Sequence, residues 1–219
     1  VQQPPLSLTG SGVIIAFIDT GISWEKEEFR DSAGNSRILN IWDQTIQTGT
    51  PPEGFLYGTE YSQEDINRAI RGEISIATTD EIGHGSAMVS VAAGSSIGNG
   101  LEFLGAAPNA QIVVVKLKQA KQYLREYYMI PEGVPAYAEG DIMNAVNYCN
   151  RLQILYQRPI VICLGLGTSY GNHTGDLPLS TYLDKIASFR NRSVVVCAGN
   201  EGNAAHHYFG TIERQDGVT

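Results

Sequence analysis

The sequence predicts an α/β fold, a doubly wound and mostly parallel sheet with helices on both faces. Three observations carry this. Four apolar runs of strand length are continuous rather than alternating, as expected of strands covered on both sides. Stretches with apolar residues at helical spacing lie between them. The chain, 219 residues with 42% hydrophobic and 17% charged, suits one domain with a substantial core.

The first run, residues 13–18, ends at Asp19-Thr20-Gly21. The others are 112–115, 160–164 and 194–197, each expected to be buried on both faces. Residues 84–93 are rich in Ala, Ser and Met and read as a helix. A second helix over 140–156 places Ile142, Ala145, Val146, Cys149, Leu152 and Tyr156 on one side, and a third over 179–189 does the same with Leu179, Leu183, Ile186 and Ala187. Two segments fall outside this rhythm. Residues 38–72 read as a β-excursion with a Pro/Gly turn near 49–54, then a short helix from Ser62 through Ile66 to Ile70. Residues 118–137, polar and aromatic with Pro131 and Pro135, read as a surface flap. No repeat or low-complexity tract divides residues 1–219, so a single unit is expected.

Acidic residues exceed basic ones to a net charge of −8, and no basic run occurs. Nucleic acid and anionic membrane surfaces are therefore not expected partners. No apolar stretch approaches the ~20 residues of a membrane span. Cys149, Cys163 and Cys197 form no C-x-x-C pair, which disfavours a disulfide scaffold and a structural zinc site. Residues 1–5 carry neither a basic nor an apolar leader region, so no compartment is assigned.

Three clusters stand where an α/β protein keeps functional groups, at strand ends or helix starts. They are Asp19-Thr20-Gly21, then Gly83-His84-Gly85-Ser86, then Ala198-Gly199-Asn200-Glu201-Gly202. An Asp, a His and an Asn suit acyl transfer: Asp orients His, His moves the proton, and the Asn amide donates to an oxyanion. Each has a plainer reading. Asp19 alone suits a turn, His84 a helix start, and Asn200 a Gly-flanked turn. Asp-Thr-Gly also marks aspartic peptidases, but those are β-proteins with a second Asp-Thr/Ser-Gly or a homodimeric partner, and this chain reads as helix-containing with no second copy. His206 and His207 are adjacent and read as surface loop rather than metal ligands. Cys197 reads as a small buried hydrophobe.

The order Ile-Asp-Thr-Gly, His-Gly-Ser, Ala-Gly-Asn-Glu-Gly resembles the subtilisin-like serine peptidases, the subtilases. Thr9-Gly10-Ser11-Gly12-Val13 is similar to that family's lead-in to its aspartate. Gly105-Ala106-Ala107-Pro108-Asn109-Ala110 resembles the turn before its third strand, and Ile162-Cys163-Leu164-Gly165-Leu166-Gly167 resembles its cleft-lining strand. The similarity runs from Leu8 to Gly202 in the family's order, which a single motif could not carry. It implies a subtilisin-like fold and peptide or protein substrates. In that pattern Asp19 is the triad aspartate, His84 the general base and Asn200 the oxyanion donor. Gly165, Leu166 and Gly167 would pair with the substrate backbone, and Ala198 and Gly199 would wall the pocket beside the scissile bond.

Two small departures are Ser86, where Thr is usual, and Gly165, where Ser is common. The large departure is the nucleophile. The family places it after the Asn, in Gly-Thr-Ser-x-Ala heading a long buried helix, and no serine follows Asn200 here. Gly167-Thr168-Ser169 repeats the letters but precedes Asn200, and Tyr170-Gly171-Asn172 cannot open an apolar helix, so Ser169 is read as loop. The expectation is the N-terminal part of a catalytic domain, truncated at its C-terminus, inactive alone and partnered by the rest of the same polypeptide. The alternative is a non-catalytic binding or scaffolding protein on the same fold. Asn200 through Tyr208, with Trp42-Asp43-Gln44, resembles the clostridial spore-germination branch, which implies a jelly-roll insertion between Asn and Ser. Glu28 stands near a family calcium position, but residues 94–100 lack carboxylates until Glu102, so no metal and no cofactor is expected.

Overall fold

The computed structural model describes residues 2–95, 103–168, 170–205 and 210–211. Among the described residues, six strands form one sheet: β1 (Ile14–Asp19), β2 (Ile38–Asp43), β3 (Thr59–Ser62), β4 (Gln111–Lys116), β5 (Ile160–Leu164) and β6 (Arg192–Val196), in the order β3-β2-β4-β1-β5-β6. All pairings are parallel except β2 with β3. The helices are α1 (Gln63–Ile70), α2 (His84–Ala93), α3 (Gln122–Tyr127), α4 (Glu139–Tyr156) and α5 (Pro178–Ala187).

The period-two geometry of the central strands divides their side chains between two cores. Ile14, Ala16 and Ile18 join Val113, Val115, Ile160 and Ile162 beneath Ala145, Val146, Cys149 and Leu152 of α4. The alternate residues Ile15, Phe17, Ile112 and Val114 meet Val89 and Ala93 of α2 and Ile66 of α1. Helices thus cover both faces, the arrangement the continuous apolar runs predict.

Two expectations need correction. Residues 38–43 do not leave the sheet: β2 is a fully buried parallel strand against β4. Its polar residues hid it. Asn40 donates to Glu60 and accepts from Tyr156, and Asp43 accepts from Thr45 and Thr78, so the amide and carboxylate that break the apolar run are satisfied inside. The helix after Ser62 forms as predicted, with a capping box in which Ser62 and Asp65 each accept the other's backbone N–H. The second correction concerns β6, which is an edge strand with Val195 50% and Val196 57% exposed. An edge strand with α5 beside it has too few neighbours to be buried on both faces, and Cys197 is likewise exposed rather than buried.

The flap over 118–137 contains α3, which buries no residue, and closes through Ala120 N–H to Ala136 O. No helix among the described residues is long and apolar enough to cross a membrane. Parallel pairing sets the C-terminal ends of β2, β4, β1, β5 and β6 along one edge of the sheet. That edge positions everything described next.

Candidate active site

β1 delivers Asp19 to this edge with 1% of its surface exposed. α2 begins at His84, and His84 Nδ1 lies 2.7 Å from Asp19 Oδ1. A carboxylate only accepts, so Nδ1 carries the proton and donates, leaving Nε2 of a ring that is 49% exposed to exchange a proton with a reacting group. Oδ1 also accepts from the Thr20 N–H at 2.7 Å, while Asp19 Oδ2 is buried with no hydrogen-bond partner among the described residues.

Close packing of glycine brings these elements together. A Cβ on Gly85 would overlap the Gly21 carbonyl oxygen and stand 3.0 Å from Gly21 N, so only glycine lets the start of α2 reach the turn after β1. Gly165, just past β5, faces Asp19 Oδ2 and His84 Cε1 so closely that a Cβ would overlap that oxygen. Leu166 packs onto the α4-side core, and Gly167 approaches Cys197 Sγ.

Ala198, Gly199 and Asn200 follow β6 on the same edge, exposed, with Gly199 at φ +79°. The structure therefore brings Asp19, His84 and Gly165 into contact and sets the segments 165–167 and 198–200 at the ends of adjacent parallel strands. Asn200 is not in contact with His84 or Asp19 in the described hydrogen bonds. Ser169, His206 and His207 lie outside the described residues, as do residues 96–102 of the loop considered for calcium. Among the described residues, no three His, Cys, Asp or Glu side chains gather as metal ligands.

Several residues at this edge escaped the sequence reading. Asp80 accepts from Thr20 Oγ1, Gly83 N, Ser86 N and Ser86 Oγ at 2.7–2.8 Å. Burial by itself would raise its pKa, but these bonds from Ser86, Gly83 and Thr20 outweigh it and hold the carboxyl below its ordinary value. A signal was present: α2 carries no acid in its first turn, and an Asp stands shortly before it. Lys116, paired in register with Asp19, donates to Thr79 O at 2.7 Å and to Glu81 at 2.6 Å. Tyr137 returns from the flap; burial, then the charge of Asp19, push its hydroxyl pKa up against an opposing hydrogen bond with Gln119. A polar cavity of about 730 Å³ lies at the opposite edge, lined by Ser11, Arg30, Arg37 and Arg158, and shares no residue with the site.

The sequence and the fold have counterparts in known proteins. The chain is 28% identical over 226 residues to a subtilisin-like protease, SBT3.5, of Arabidopsis thaliana, a match spanning 92% of this chain and 27% of that protein. The CspB protease of Clostridium perfringens superposes with a TM-score of 0.74 at 27% identity, over 94% of this chain and 40% of that one. Sphericase shares the fold, with a TM-score of 0.58 at 20% identity over 89% of this chain and 48% of its own. The chain thus spans well under half the length of the curated relative and of the clostridial structure it matches. Residues 10–215 match the Subtilase family, and the chain belongs to that family.

Proposed function

We propose that this chain is the N-terminal part of a serine endopeptidase catalytic domain whose nucleophile lies outside residues 1–219. The observation that carries the reading is the 2.7 Å contact between His84 Nδ1 and the buried Asp19 carboxylate, at the edge where parallel α/β sheets bind ligands.

The reaction would run through an acyl-enzyme. A serine Oγ attacks the peptide carbonyl carbon as His84 Nε2 takes its proton, and Asp19 holds the imidazole and stabilises its positive charge. The Asn200 amide donates to the oxyanion. His84 returns the proton to the leaving amine, and water repeats the sequence to free the acid. Gly165, Leu166 and Gly167 would hold the extended substrate, with Ala198 and Gly199 as the pocket wall. Exposed β6 supports a chain that continues, since Val195 and Val196 leave apolar surface that more polypeptide would cover. The clostridial branch is supported by the likeness to the CspB protease, and a jelly-roll insertion after Asn200 rests on the resemblance of the tail.

The complete natural polypeptide should cleave peptide substrates and be labelled by a fluorophosphonate, and His84→Ala should abolish both. A complete polypeptide that folds, binds peptides and does neither would favour the scaffolding alternative.

A further inference from the structure

We propose that Asp80 is a positioning residue for His84, its carboxylate fixing the start of α2 against the end of β1 so that the imidazole meets Asp19. The inference rests on the peptidase reading above.

Asp80 makes no hydrogen bond to His84 among the described residues. It acts through the backbone on either side of it. Gly83 N donates to Asp80 Oδ1 at 2.8 Å and Ser86 N to Asp80 Oδ2 at 2.8 Å. The intervening Gly85 N donates to Thr20 Oγ1 at 2.9 Å, and that hydroxyl in turn donates to Asp80 Oδ1 at 2.8 Å. The amides of Gly83, Gly85 and Ser86, which bracket His84, are thus all bound by one carboxylate or by the hydroxyl it orients. Thr20 is the residue after Asp19 and donates its own N–H to Asp19 Oδ1. A single group therefore ties the base and the acid that orients it.

The segment carrying Asp80 is itself fixed from several sides. Trp24 Nε1 donates to Thr78 O at 2.9 Å, Thr78 Oγ1 to Asp43 Oδ2 at 2.6 Å, and Lys116 Nζ to Thr79 O. Asp80 is 9% exposed, and its four donors leave little acceptor capacity for water. A negative charge here also faces the positive end of the α2 dipole. An isosteric amide cannot replace it: whichever oxygen became NH₂ would set a donor against an N–H.

A residue that merely caps α2 would change stability and leave turnover per folded molecule alone. The test is Asp80→Asn in the complete polypeptide, with kcat and KM normalised to folded protein and the downfield proton resonance of His84 Nδ1–H recorded. The expected result is kcat lower by on the order of 100-fold, as for a misplaced catalytic group, with KM within about twofold and the resonance shifted or lost. Thr20→Val keeps the three bonds from Asp80 to α2 and removes only the bridging hydroxyl, so it decides the matter if Asp80→Asn does not fold. It should lower kcat by about tenfold, and Thr20→Ser should recover most of that loss. Wild-type kcat and an unchanged resonance in a folded Asp80→Asn or Thr20→Val would overturn the assignment. If the wild-type polypeptide neither turns over peptide nor reacts with a fluorophosphonate, the peptidase reading fails, and the resonance alone still decides for or against Asp80.

Discussion

Gly165 lies against the Oδ2 atom of Asp19, with no room for a Cβ between them. The carboxylate is held from its other side by the Thr20 N–H and by His84, so it has no free direction in which to yield. The approach of β5 to β1 thus sets the position of the buried acid. Oδ2 has no hydrogen-bond partner among the described residues, and Gly165 carries no side chain that could supply one.

Gly165→Ala should therefore displace Asp19 rather than be absorbed. Overpacking of this kind costs ~1–3 kcal/mol, and the loss of His84 alignment should lower kcat in the complete polypeptide by on the order of 100-fold. Denaturant melts and steady-state kinetics check both. A serine at 165, the family's common residue, adds a hydroxyl that could reach Oδ2, yet it carries the same Cβ and should lose activity as well. Wild-type activity in Gly165→Ser would show that the strand shifts to accept it.

Gly85→Ala tests the second close approach. Its Cβ would overlap the Gly21 carbonyl, and the start of α2 would be pushed from the β1 turn at a cost of ~1–3 kcal/mol. Urea unfolding of the complete polypeptide measures this. An alanine that melts with wild type would mean that the start of α2 leaves room for a Cβ beside that turn.

Much of this architecture was legible in the sequence, for a physical reason. Strands β1, β4 and β5 and helices α2, α4 and α5 bury continuous or periodic apolar faces, so pattern alone reveals them. β2 is harder to read because its stability rests partly on buried polar pairs, Asn40 with Glu60 and Asp43 with Thr78, whose partners are distant in sequence. β6 misleads in the opposite sense, since an apolar run records what a strand could bury and not which neighbours it has. At the candidate site, the glycines beside Asp19 and His84 draw attention to both residues. Nothing in the sequence singles out Asp80 in the same way, because a carboxylate bonded to backbone amides needs only a suitable turn before a helix. Its meaning appears once Thr20 and Ser86 are seen to converge on it.

The aromatic cluster beneath β2 gives a stability prediction independent of the site. Trp42 is fully buried, with ring centroids of Phe55, Tyr57 and Tyr148 at 4.5, 5.3 and 5.2 Å, and its indole N–H donates to Tyr57 O. Trp42→Ala should destabilise by ~3–5 kcal/mol, read as a lowered denaturant midpoint, with the downfield His84 resonance retained in the protein that remains folded. Loss of that resonance in folded variant would mean that β2 packing and the site are coupled.

Acid should release the Asp80 clamp. Its carboxyl is held below the ordinary value of 3.8 in the folded chain, so the native state binds its proton less readily than the unfolded one. The stabilisation is then complete above the unfolded pKa and is lost as pH falls through the lowered folded value. The stability gap between wild type and Asp80→Asn should stay constant from neutral pH to about pH 4 and shrink below it. Urea midpoints across that range supply the measurement. A gap that instead shrank with rising pH would reverse the sign and remove the argument for an ionised clamp.

The isolated segment 1–219 should be inactive for want of a nucleophile and not for any defect in His84 or Asp19. A triad without its nucleophile keeps at most ~10³–10⁴-fold acceleration over water, from oxyanion and binding interactions, and that residue requires a formed cleft. Ala198 and Gly199, proposed above as a pocket wall, are exposed beside the exposed Val195 and Val196. The segment alone should give no peptide turnover and no fluorophosphonate adduct. It should also bind a hydrophobic dye more strongly than the complete polypeptide does, through the apolar surface left at β6. Supplying the remaining polypeptide in trans should restore labelling on a serine beyond residue 219, and His84→Ala should remove it again. The decisive contrary result is an adduct on Ser169 of the isolated segment. That would put the nucleophile in the loop after the cleft strand, ahead of Asn200 in the chain, and the roles assigned to His84 and Asn200 would have to be rebuilt around it.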